Sequence, residues 1–179
     1  LRSFAVVSLI IPILLVGFLS LRLWESSLER EVAFSGTLLI DAYSLFFKSL
    51  ILGSLLLLLL TSHNYIARFG QHQAEFIALT FFSSSGLMLM VSAVDLITVF
   101  ISLELATLPI IAITALLRED NRSAEAAIKF FILSSLSSAI LLYGFAFLYG
   151  ATGTVRVVSI HPDMPSMASM LAAASGSSL

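Results

Sequence analysis

Five apolar runs, each close to 20 residues long, constrain this chain more than any other feature. They are Phe4–Leu23, Thr37–Thr61, Phe76–Ala93, Leu96–Leu117 and Ala124–Tyr149. A helix rising about 1.5 Å per residue needs roughly 20 such residues to cross the hydrocarbon of a bilayer. Lipid offers the backbone no hydrogen-bond partners, so a spanning segment must satisfy its own, as a helix does. The expected fold is an all-α membrane protein with five transmembrane helices. Charged residues make up 11% of the chain, against about a quarter in a soluble domain, too few to cover a water-facing surface.

The connections set the boundaries. "WESSLEREVAFSG" follows the first run and carries Trp24, expected at the membrane interface. "SHNYIARFGQHQAE" separates the second run from the third. Val94 and Asp95 alone part the third from the fourth, so these should form a tight antiparallel hairpin with Asp95 capping the second helix. In "REDNRSAEA" Ser123 is the predicted cap of the next helix, with Glu125 in its first turn. Residues 1–154 thus form the helical bundle. Residues 155–179, with Pro162 and Pro165, read as a loop leading to a short weak helix near Ser166–Ala174. Arg2, Arg68, Arg118, Arg122 and Lys129 fall on one side of the membrane, and Arg22, Arg30 and Arg156 on the other. That bias places the "REDNRS" loop on the cytoplasmic or matrix side.

Several chemistries are excluded. Without cysteine there is no disulfide, thiolate zinc site, cysteine-bound iron–sulfur cluster or thiol nucleophile. His63, His72 and His161 lie in polar segments with no ligand spacing, so no metal site is expected. A net charge of −2 with no basic block argues against nucleic acid. There is no phosphate-binding glycine loop, Ser/His/Asp constellation or dinucleotide fingerprint. If the chain serves an enzyme, the organic chemistry belongs to another subunit. The first apolar run follows a single arginine and is long for a signal-peptide core, so no cleavable leader is expected.

What remains is a small set of ionisable residues inside the apolar runs. Glu104 lies nine residues beyond Asp95, about 13 Å along a helix, near the membrane midplane. An acid at that depth costs about 2.5–3.5 kcal/mol on insertion scales and usually faces a protein interior or a wet cavity. Its proton affinity would depend on burial and on a neighbouring cation, which suits a proton-loading site. Pro109 follows five residues later and lacks an N–H, leaving the Leu105 carbonyl without its helical donor and permitting a kink. A purely structural kink, with Glu104 paired to a neighbouring helix, is the competing reading.

Lys48 is a second deep charge, two turns beyond Asp41, and is either an electrostatic partner in a proton path or a snorkelling lysine. Lys129 has Glu125 four residues before it, an ordinary helix-end pair. The serines of "LSSLSSA", Leu133–Ala139, suit close helix packing.

Taken as an ordered set, these blocks resemble the subunit 2 family of proton-pumping NADH:quinone oxidoreductase, respiratory complex I. "DAYSLFFKSLIL" resembles the family's third helix, and "SSSGLMLMVSAVDLITVFISLELATLPI" its fourth and fifth. "SAEAAIKFFILSSLSSAILLYGFAFLYGATGT" resembles its sixth. The match runs from about Gly36 to Thr154, which makes Phe4–Leu23 the counterpart of the second helix. The resemblance implies an antiporter-like, proton-translocating membrane subunit. It maps the family's fifth-helix glutamate onto Glu104 and the lysine opening its sixth helix onto Lys129, whereas Lys48 has a counterpart in some members only.

The resemblance also implies no cofactor on this chain, with NADH, FMN, iron–sulfur clusters and quinone handled by partner subunits. The expected partners are other membrane subunits of complex I and lipids, in a mitochondrial inner membrane or, alternatively, a bacterial plasma membrane. The family's broken seventh helix, whose lysine partners the glutamate, and its second inverted repeat have no counterpart here. The chain is therefore expected to be an N-terminal piece, completed by a separate chain that carries the remaining helices, as from a split mitochondrial gene. A structural fragment without proton conduction and a subunit of a related cation/proton antiporter are the alternatives.

Overall fold

The computed structural model describes residues 18, 31–117, 119–159 and 165–176. The first predicted span, Phe4–Leu23, lies outside them apart from Phe18, as do Trp24, Arg118 and His161. Among the described residues four helices are long and apolar enough to cross a membrane: α1 (Ala42–Thr61), α2 (Gln73–Ser92), α3 (Leu96–Thr114) and α4 (Asn121–Thr152). A short α5 (Met167–Ser175) follows, one residue from the predicted bounds. Ser166 caps it, with the Ser166 and Ser169 side chains each bonding the other's backbone N–H.

The second run departs from prediction at its start. Residues Leu38–Ile40 form a strand, β2, that pairs antiparallel with β1 (Glu31–Ala33). The helix begins only at Ala42 because Asp41 and Ser44 form a capping box, with Asp41 Oδ1 accepting from Ser44 N at 2.8 Å. The polar connection "SHNYIARFGQHQ" is also more helical than expected, as a turn His63–Ile66 runs into a 3₁₀ segment Ala67–His72. α4 likewise begins earlier than predicted. Asp120, not Ser123, is its cap, accepting from Arg122 N at 2.9 Å. The Ser123 hydroxyl instead donates to the Thr114 carbonyl and ties the start of α4 to the end of α3.

α1 presents Leu45, Leu52, Leu55 and Leu59, spaced along one helical face, to a core completed by Ile66, Phe69, Phe76, Ile77 and Leu116. The Phe69 and Phe76 rings stack with centroids 5.0 Å apart. At the opposite end, the turn between α2 and α3 is held from both sides. Val94 N donates to Thr37 O at 3.0 Å, while Val157 N donates to Val94 O and Leu96 N to Val155 O, each at 2.9 Å. Val94 is 1% exposed as a result. α4 ends at Gly153, whose φ of 68° lies in the left-handed region that glycine adopts without strain. Most of α4 is uncovered, and its exposed residues include Ile128, Phe131, Leu136, Ile140 and Phe147.

Candidate functional site

α3 carries the acid, and its start is set by Asp95, 7% exposed. Asp95 Oδ1 accepts from Thr98 N and Oδ2 from Thr98 Oγ1, both at 2.8 Å, so the residue is a cap as predicted. Pro109 lies within the helix. α2 and α3 pack as the expected hairpin, and their approach is closest where α2 has small residues. A Cβ on Gly86 would sit 2.5 Å from Ala106 N and 2.8 Å from both Leu105 C and Ser102 O. One turn away, Ser83 Oγ donates to the Ala106 carbonyl at 2.8 Å. The backbone of α3 from Ser102 to Ala106, the turn that bears Glu104, is thus seated directly against α2.

From the other side α4 turns a stripe of Ser123, Ala127, Ser134, Ser138, Leu141 and Phe145 inward, spaced three, four or seven residues apart. Ser138 Oγ donates to Glu104 Oε1 at 2.5 Å. Glu104 is half-buried, and its second oxygen accepts no hydrogen bond among the described residues. No lysine, arginine or histidine of the described residues lies within 4.0 Å of its carboxylate.

The other predicted site residues are not gathered there. Lys129 pairs with Glu125 on the uncovered face of α4, the two side chains being 70% and 64% exposed. It stands two residues from the inward Ala127, so about 200° of helical rotation separates it from the Glu104 side. Lys48 is half-buried on α1 and makes no ion pair among the described residues, while Asp41 is engaged in capping. His72 pairs with Glu75 at 3.1 Å. No cluster of three metal-ligating side chains occurs among the described residues. A groove of about 590 Å³ between α1, α2 and α3, lined by Leu50, Leu55, Phe76, Leu87, Ile110 and Ile113 among others, contains no ionisable side chain.

Ser138 is the residue that sequence reasoning missed. Within "LSSLSSA" Ser137 is exposed, and its hydroxyl bonds the Leu133 carbonyl of its own helix at 2.9 Å. Ser138 instead reaches across to an acid 34 residues earlier. Ser134 and Ser138 share the inward face of α4, but that spacing does not distinguish a packing serine from one that reaches an acid. Chemically the arrangement can hold, accept and release one proton on a carboxyl inside an apolar helix.

Residues 93–175 match the family model described as NADH:quinone oxidoreductase/Mrp antiporter, transmembrane. NADH-quinone oxidoreductase subunit N of Nitrosomonas europaea is 44% identical over 73% of this chain and 27% of its own length. F(420)H(2) dehydrogenase subunit N of Methanosarcina mazei is 41% identical over 69% of this chain and 25% of its own length. A chain of respiratory complex I from Thermus thermophilus superposes with a TM-score of 0.67 at 26% identity, covering 95% of this chain and 35% of that one. The chain spans about a quarter to a third of the length of these relatives.

Proposed function

Because this chain belongs to the NADH:quinone oxidoreductase/Mrp antiporter family of membrane subunits, we propose that it contributes Glu104 to proton translocation coupled to redox chemistry in partner subunits. The observation that carries the proposal is Glu104 itself. It is a carboxylate inside a membrane-spanning helix, hydrogen-bonded across to the next helix and with no cation paired to it among the described residues. An acid is retained at such a position when its charge is used, because burial makes it costly otherwise. Two relatives whose names give different electron donors, NADH and F(420)H(2), support placing donor oxidation outside this subunit. NADH, FMN, iron–sulfur clusters and quinone then belong to other chains of the assembly.

A pairing lysine for Glu104 comes from a further helix of the assembly. The exposed apolar face of α4 supports this, since it is available to further helices. The protein is multi-pass, and bacterial and archaeal relatives favour a prokaryotic plasma membrane over the mitochondrial inner membrane. The test is Glu104→Gln in the assembled complex, reconstituted in vesicles with proton pumping and quinone reduction measured together. Loss of pumping with assembly intact is the expected result. Pumping at the normal rate removes Glu104 from the mechanism and leaves the chain a structural subunit.

A further inference from the structure

We propose that Ser138 is the positioning residue for Glu104, holding its carboxyl against α4 in the geometry from which it exchanges a proton. This deepens, and rests on, the proton-handling reading of Glu104. Hydroxyls within the helices of this chain ordinarily bond a carbonyl one turn back. Ser84 does so to Thr80, Ser102 to Thr98, Thr107 to Leu103 and Ser137 to Leu133. That local bond is the default for serine and threonine in a helix interior. Ser138 forgoes it and spends its proton on Glu104 Oε1 across the α3–α4 interface.

The chemistry of a hydroxyl fits the role. It has one donor and two acceptor sites, so Ser138 can donate to the carboxylate and, after rotation, accept from the carboxylic acid. Glu104 therefore keeps a partner through a proton cycle. No ion pair competes for the Glu104 carboxyl among the described residues. On α3 itself Glu104 is the one ionisable side chain, with Asp95 capping the helix nine residues before it. α2 contributes Glu75 in its first turn. α4 contributes Arg122, Glu125, Lys129, Tyr143 and Tyr149, and none of these pairs with Glu104.

The experiment uses the assembled complex in proteoliposomes, with pumping and turnover measured against pH. Glu104→Gln is the control, because its failure to abolish pumping defeats the underlying reading separately from this one. Given that control, Ser138→Ala is expected to assemble and to displace the acid-side midpoint of turnover from its wild-type value. Ser138→Thr keeps the hydroxyl and should restore the wild-type midpoint. Ser138→Cys nearly matches the volume with a weaker donor and should shift as alanine does, which serves if alanine assembles poorly. A wild-type midpoint in both Ser138→Ala and Ser138→Cys overturns the proposal. A uniform loss of turnover at every pH in those variants overturns it too, because that is the signature of packing alone.

Discussion

Replacing Gly86 with alanine tests the α2–α3 contact that seats the Glu104 turn. The new Cβ would lie 2.5 Å from Ala106 N and 2.8 Å from Leu105 C and Ser102 O, where non-bonded heavy atoms settle at about 3.5–4.0 Å. All three atoms are backbone, so no side-chain rotation relieves the clash, and the helices must part by about 1 Å. Overpacking of this kind costs about 1–3 kcal/mol. The separation also stretches the 2.8 Å bond from Ser83 to the Ala106 carbonyl, and an interhelical hydrogen bond in a membrane contributes about 0.6 kcal/mol. Together the expected loss is about 1.5–3.5 kcal/mol. The assay is the thermal midpoint of the purified complex, with the amount assembled in membranes as a second readout. Because the clash is with backbone, Ala106→Gly in the same chain should not rescue it. A Gly86→Ala complex that assembles and melts like wild type, or a full rescue by Ala106→Gly, would refute the reasoning.

Smaller effects are expected elsewhere. Ser83→Ala removes one interhelical bond without adding bulk and should lower stability by about 0.6 kcal/mol, well below Gly86→Ala in the same melting assay. Asp95→Ala leaves Thr98 N uncapped and should cost about 0.5–2 kcal/mol, whereas Asp95→Asn, which keeps an acceptor, should recover most of it. Glu125→Ala breaks an exposed pair with Lys129 and should change stability by only a few tenths of a kcal/mol. A larger loss there would mean that the pair is enclosed by another chain in the assembly.

Where local chemistry decides an element, the sequence was informative. Asp95 two residues before Ile97 in a gap between long apolar runs specified both the hairpin and the cap, and Ser166 after Pro165 specified α5. Thr37–Ile40 was misread because a continuous apolar run does not distinguish strand from helix. The deciding feature is the Asp41–Ser44 capping box, which stops the helix and frees the preceding residues to pair with β1. At the start of α4 both Asp120 and Ser123 are good caps. Aspartate takes the position, and serine reaches the Thr114 carbonyl, a choice that depends on where α3 ends. Glu104 was legible as an expensive anomaly. Ser138 was not, because a bond between residues 34 apart leaves no local pattern.

The three contacts that sequence alone did not reveal converge on one helical turn. Gly86 admits the backbone of Ser102–Ala106 to α2, Ser83 fixes the Ala106 carbonyl, and Ser138 fixes the Glu104 carboxyl from α4. The acid is thus held on both sides between its capped start at Asp95 and the proline at 109. Lys48 and Lys129 lie on helices whose contacts with α3 do not bring either lysine within pairing distance of Glu104. Under the proposed function this division of labour has a mechanical consequence. With its backbone seated against α2 and its carboxyl held by Ser138, Glu104 has little room to travel, so a cationic partner would have to move toward it. Weakening the anchor at Gly86 should therefore blur pumping before it stops electron transfer, because a loosened Glu104 could follow its partner instead of sensing it.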